Sequence, residues 1–337
     1  TIKKMNLGSD LDAYYPKLVW GNKMEELAIP KFDRDQTRLE LFFANPRSTV
    51  SKLILTDKSN SYVDYENLNY FRFLPDGHHF IFVSEKDGYR HAYLYNNNGV
   101  LAQQLTKGKF DVTNFYGYDE QKKASYFQAA EVSSTGRDIY TIDAKGIMKR
   151  LSNGKGSHSA TFSNDFSYFI DQSSSWNSPD EFVLYNHLGQ SVRALETNSV
   201  LKKEFAALGL SKKEPFTCNA ADGTPLSGWI VKPVNAGNGA KLPVLLVQYS
   251  GPDSQEATDK WKVDWEYYLA SNGYAVVCVD GRGTAARGER FRKCTYEQLG
   301  NIESQDQIAV AKYVGTLPFA DKSRIGIWGW SYGGFMT

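Results

Sequence analysis

Hydrophobic and polar positions follow two different periods along the chain. Between about residues 30 and 198, short runs of alternating or clustered apolar residues are separated by polar turns, the pattern of half-buried β-strands. Three of those turns recur at a near-constant interval. Asp76 in FLPDG, Asp119 in GYDEQ and Asp165 in FSNDF lie 43 and 46 residues apart, each just ahead of an aromatic-rich run: HHFIFVSE, KKASYFQAA and FSYFIDQ. A second strand pair follows each run and turns on Gly99, Gly146 and Gly189, in AYLYNNNGVLAQQLT, DIYTIDAKGIMKRLS and FVLYNHLGQSVRALE. A period in the forties with about four strands per unit predicts β-propeller blades, because one blade cannot bury both of its faces and must stack on its neighbours. A β-sandwich is the alternative, but its strands come every ~8–12 residues without a higher period. LELFFANPRSTVSKLILTD reads as the tail of an earlier blade. Three to four blades are fewer than a ring commonly holds, so part of the propeller is expected ahead of Thr1.

The period changes after residue 198. VLKKEFAALGLSKK reads as a linker helix, and EPFTCNAADGTPLSGWIVKP as a hairpin turned on Asp222-Gly223. Apolar strands then alternate with helical segments: VLLVQYSG, WEYYLASNG, YAVVCVDG, SQDQIAVAKYVG and RIGIWGWS. Near-continuous apolar strands between helices predict a parallel sheet covered on both faces. The expected division is therefore a partial β-propeller over residues 1–198 and an α/β domain over residues 199–337.

The chemistry concentrates at the end of the last strand. Gly329-Trp330-Ser331-Tyr332-Gly333 fits the G-x-S-x-G nucleophile elbow, and RIGIW supplies the strand that the motif requires before it. A sharp strand-to-helix turn forces unusual backbone angles on the serine and brings main chains together, so flanking side chains would clash. An alcohol at its free pKa is a poor nucleophile and needs a histidine oriented by a carboxylate. All five histidines (His78, His79, His91, His158 and His187) precede residue 199. The chain order of α/β-hydrolases runs serine, acid, histidine, so both partners are expected beyond Thr337, and the hydrolase domain is read as cut just after its elbow. In this fold the backbone N–H of Tyr332 is one oxyanion donor. The second comes from a loop after an early strand, the place held by VLLVQYSGPDSQ, where Tyr249 offers a phenol. From position alone, Tyr249 is equally an aromatic packed against the sheet.

Composition narrows the partners. The 337 residues carry 39 basic and 38 acidic side chains, a net charge of +1, which gives no field favouring nucleic acid. Hydrophobic residues make up 41% and aromatics 14%, enough for about two folded domains. No run approaches the ~18 apolar residues of a spanning helix, so no membrane span is expected in this segment. Cys218, Cys278 and Cys294 are too few and scattered for a disulfide framework or a zinc site and read as free thiols. His78 and His79 are adjacent on a strand and point to opposite faces, so no metal is assigned. Gly281-Arg282-Gly283-Thr284-Ala285-Ala286 also fits a dinucleotide fingerprint, but the basic RGERFRKCTYEQLG that follows lacks the apolar spacing of the helix that motif must open. No cofactor is expected. Arg282, Arg287, Arg290 and Arg292 read as a solvated or interface-facing loop.

GWSYGGFMT, QYSGPDSQ, VDGRGT, LGNIESQDQIAVAKY and SEKDGYRHAYLY together resemble the dipeptidyl peptidase IV branch of the prolyl oligopeptidase family. That resemblance spans nearly the whole chain. It implies a propeller joined to an α/β-hydrolase and a serine exopeptidase releasing X-Pro or X-Ala dipeptides from peptides with a free N-terminus. It also implies Ser331 as nucleophile, Tyr332 as oxyanion amide and wall of the proline pocket, and Tyr249 as oxyanion tyrosine. Homodimers and a periplasmic or extracellular address are implied by the resemblance alone. The family reads the substrate amine with a glutamate pair in a D-W-x-Y-E-E-type segment, which has no match here. Glu25-Glu26 sits in a strand-like context without that motif, and the pair is expected ahead of Thr1. An endo- or acylaminoacyl peptidase, or a propeller scaffold with a catalytically dead hydrolase half, are the competing readings.

Overall fold

The computed structural model describes residues 2–8, 12–234, 236, 239 and 241–337. Four four-stranded antiparallel meanders come first. Blade 1 is built from Val19–Trp20, Leu27–Phe32, Arg38–Ala44 and Ser51–Lys58. Blade 2 follows with Arg72–Phe73, His79–Ser84, His91–Asn96 and Leu101–Gln104. Blade 3 contains Val112–Asp119, Ala124–Ala129, Asp138–Ile142 and Met148–Arg150, and blade 4 Ser157–Phe162, Tyr168–Ser175, Ser178–Asn186 and Ser191–Glu196. The apolar clusters lie between blades, as radial stacking demands: Leu41, Ile54, Phe80 and Phe82 join blades 1 and 2, Val83, Ala92, Val112 and Phe127 join blades 2 and 3, and Tyr126, Ile139 and Phe169 join blades 3 and 4.

The repeating aspartates are turn-formers. Asp76, Asp119 and Asp165 each accept backbone N–H groups two or three residues on, closing the turn between the first and second strands of their blades. Blade 1 has a complete head as well as the tail read from the sequence. Its first turn, Gly21 to Glu26, uses main-chain bonds in place of an aspartate. Glu25 and Glu26 occupy that turn, not a strand.

The helix α1 (Ser199–Ala207) leads into a five-stranded sheet. Its strands are β1 (Glu214–Asn219), β2 (Pro225–Val231), β3 (Leu242–Val247), β4 (Ala275–Asp280) and β5 (Ala320–Trp328), in the order β1-β2-β4-β3-β5. The strands that alternate with helices, β3, β4 and β5, are parallel as expected, and the β1–β2 hairpin joins β4 in antiparallel register, so the sheet as a whole is mixed. Helices α2 (Trp265–Ser271), α3 (Glu289–Arg292), α4 (Asn301–Val314) and α5 (Tyr332–Met336) complete the described part of this half. Every residue of β4 is buried, which is why its sequence is apolar from Ala275 to Val279, with only Asp280 at its end polar. The architecture is thus a set of propeller blades followed by an α/β-hydrolase sheet. All three cysteines are free, and no helix among the described residues is long and apolar enough to cross a membrane.

Candidate active site

The elbow forms at the β5–α5 junction. Ser331 holds φ 57° and ψ −118°, a combination that L-residues adopt only under local constraint. The flanking glycines are sterically required. A Cβ on Gly329 would stand 2.3 Å from Gly333 O, and one on Gly333 2.5 Å from Gln248 O. The second figure also locates the neighbour: the first turn of α5 lies against the main chain at the end of β3, where the Tyr249 loop begins. Gln248 locks the two together, its Nε2 donating to Gly333 O at 2.8 Å and its backbone N–H to Trp328 O at 3.1 Å.

The three sequence-derived site residues are therefore brought together. Ser331 is exposed, Tyr332 begins α5, and the Tyr249 and Tyr332 rings lie 6.2 Å apart at 48°. The N–H of Tyr332 belongs to the first turn of a helix, where amides have no intrahelical acceptor. The Tyr332 phenol donates to Glu303 Oε1 on α4 at 2.7 Å. Desolvation and that bond raise the phenol well above its usual range. Glu303 is fully buried. Tyr249 lines a cavity of ≈ 650 Å³ together with Gln248, Trp265, Trp328 and Trp330. Sequence reasoning missed Gln248 and Glu303, although both lie inside the segments QYSGPDSQ and LGNIESQDQIAVAKY that carry the family resemblance.

The other candidates resolve by contact. Gly281–Thr284 closes a tight turn, with Thr284 Oγ1 donating to Gly281 O at 2.7 Å, and the Arg282 N–H is occupied by Asp306 Oδ2 at 2.7 Å. The loop opens no helix directly; α3 begins only at Glu289 and is one turn long. The four arginines divide, and Arg290 is the exposed one. Arg282 pairs with Asp306 and Asp222, Arg287 donates to Pro225 O, and Arg292 is buried against Asp64 and Glu85 of the propeller half. His79, His91 and His158 are bonded within their blades, to Asp76, Thr106 and Asp171. Among the described residues no group of three or more His, Cys, Asp or Glu side chains could hold a metal ion.

Residues 1–180 match the family model described as the dipeptidyl peptidase IV (DPP IV) N-terminal region, and residues 261–337 the model of the prolyl oligopeptidase family. Dipeptidyl peptidase 4 of Trichophyton equinum is 31% identical over 323 residues, covering 93% of this chain and 42% of the relative. Dipeptidyl peptidase 4 of Arthroderma otae is 31% identical over 324 residues with the same coverage. The crystal structure of Porphyromonas gingivalis dipeptidyl peptidase 4 superposes with a TM-score of 0.96 at 43% identity, covering 99% of this chain and 48% of that one. The chain thus spans under half the length of these relatives.

Proposed function

The chain belongs to the dipeptidyl peptidase IV branch of the prolyl oligopeptidase family, and from that premise we propose that the full-length protein is a serine exopeptidase. It releases N-terminal X-Pro or X-Ala dipeptides from short peptides through an acyl-enzyme on Ser331. Residues 199–337 carry the nucleophile and oxyanion donors, and residues 1–198 form blades that restrict entry to short, free N-termini. Ser331 Oγ attacks the scissile carbonyl, and the negative charge that develops on its oxygen is met by the Tyr332 N–H and the Tyr249 O–H. The proton leaving Oγ goes to a histidine that follows the nucleophile in the chain order of this fold. The observation that carries the reading is the strained Ser331 at a strand-to-helix turn, with Tyr249 and Tyr332 ring against ring beside it.

The test is covalent. A dipeptidyl Pro-phosphonate ester should label the full-length protein at Ser331, located by peptide mass mapping, and should spare the Ser331→Ala variant. In parallel, N-acetylation of an Ala-Pro-anilide substrate should abolish its cleavage. Failure to label would favour a non-catalytic scaffold. Labelling with undiminished cleavage of the acetylated substrate would favour the endo- or acylaminoacyl alternative.

A further inference from the structure

The Tyr249 loop is strained and is held from both halves of the molecule. Ser250 and Asp253 both occupy positive φ, 59° and 58°, where non-glycine residues persist only when their surroundings over-determine them. Within the hydrolase half, Gln307 Nε2 donates to Ser250 Oγ at 3.1 Å and the Asp253 N–H to Gly283 O at 2.9 Å. The remaining restraint spans the domains. Asp253 Oδ2 lies 3.4 Å from Arg90 Nη2 in the loop between the second and third strands of blade 2, and Oδ1 lies 3.6 Å from Arg292 Nε. Two residues on, Gln255 accepts from Arg137 of blade 3 and donates to Ser134 O at 2.7 Å.

Asp253 is a fourth carboxylate against three cations and the most loosely paired of the four, at 3.4 and 3.6 Å from Arg90 and Arg292. Without it, Asp64, Glu85 and Glu289 still face Arg90, Arg292 and Lys293, three carboxylates against three cations in mutual contact. Desolvation raises the Asp253 carboxyl despite the opposing pull of Arg292 and Arg90, so the group gains little by its own burial. A carboxylate that the cluster does not need, in a strained loop four residues past Tyr249, has its simplest use in orienting that loop.

We propose that Asp253 is a positioning residue: clamped by Arg90 of blade 2 and by Arg292, it fixes the loop that aims the Tyr249 phenol at the oxyanion, so that docking of the propeller sets the rate of acylation. The inference rests on the oxyanion role proposed for Tyr249. Misplacing a donor costs less than deleting it, and deletion typically costs ~10²–10³ in kcat.

Four full-length proteins decide the matter: wild type, Tyr249→Phe, Asp253→Asn and the double variant. Asparagine keeps the shape and tolerates positive φ while removing the charge. Asp253→Asn should lower kcat about tenfold with KM and Tm nearly unchanged. In the Tyr249→Phe background the same substitution should have no further effect on kcat, because the group it positions is gone. If Tyr249→Phe slows turnover and Asp253→Asn does not, or if the Asp253→Asn loss persists in full in the double variant, the clamp is overturned while Tyr249 keeps its role. Unchanged kcat in Tyr249→Phe overturns the oxyanion reading itself, and the clamp with it.

Discussion

Blade 2 and blade 4 meet the hydrolase half through the same loop, the one between their second and third strands, with opposite chemistry. At blade 4 that loop is the hairpin tip Trp176-Asn177, whose indole is buried against Trp229, Val231, Tyr267 and Ala270 and donates to Thr258 O at 2.8 Å. At blade 2, Glu85 and Arg90 join Asp64 in a buried cluster with Arg292 and Lys293. The two contacts cannot serve the same purpose. Burial of an indole is non-directional and contributes in proportion to the apolar area removed from water. A buried ion cluster loses in desolvation most of what it gains in attraction, and what it retains is geometry. Blade 4 therefore supplies adhesion and blade 2 supplies placement, next to the loop that carries Tyr249.

The largest effect should follow from the apolar contact. Trp176→Ala is expected to destabilise the full-length protein by about 3–5 kcal/mol, since it deletes a buried aromatic and leaves a cavity between the halves. Urea denaturation measures this, and a loss below about 1 kcal/mol would break the contrast. Arg292→Met should come next, at about 3 kcal/mol, because it leaves Asp64 and Glu85 short of one cation in a buried site. The sharper test is reversal. Adding Glu85→Met should recover most of that loss, because a buried pair replaced by apolar groups of similar size is often neutral. An unrecovered loss would mean that the charged contact contributes adhesion as well.

The same contrast explains what could be read from the sequence. Blades 2 to 4 were legible because each needs an aspartate to close one turn and a glycine at positive φ in another: Gly99, Gly146 and Gly189 hold φ of 84°, 79° and 76°. Blade 1 showed only its tail, because Gly21–Glu26 closes its first turn without an aspartate and Thr49, at φ 67°, stands where the others have glycine. A subtler signal was present. Asn45, Asn96, Asp143 and Asn186 each accept the amide two residues on at the head of the turn between third and fourth strands. The elbow was legible because its main-chain contacts admit only glycine at Gly329 and Gly333. The clamp was not, since Arg90 and Asp253 are 163 residues apart and, although each lies in a segment that carries the family resemblance, nothing in either segment pairs the two. For the same reason the sequence left Arg292 between a solvated and an interface-facing loop, and its partners across the interface bury it.

Blade 3 lies between the two extremes, and pH separates it from both. Its loop brings Arg137 to Gln255, and desolvation pushes that guanidinium down to about 10. Beside this contact Asp280, at the end of β4, accepts the amides of Glu256 at 3.0 Å and Ala257 at 2.8 Å. Burial is the largest influence on its carboxyl and, against those two donors, pushes it up to about 6. An unfolded aspartate titrates near ~3.9, so the folded state holds the proton more tightly, and the stability this group contributes is fully present below about pH 4 and lost as pH rises through 6. Asp280→Asn has no proton to lose. The stability of wild type relative to that variant should fall by about 2–3 kcal/mol between pH 4 and pH 7 and be flat above. Urea midpoints across that range measure the difference directly, and other carboxylates cancel in it. A flat difference would mean that the two amides keep Asp280 ionised throughout, and that blade 3 docks as indifferently to pH as the indole of blade 4.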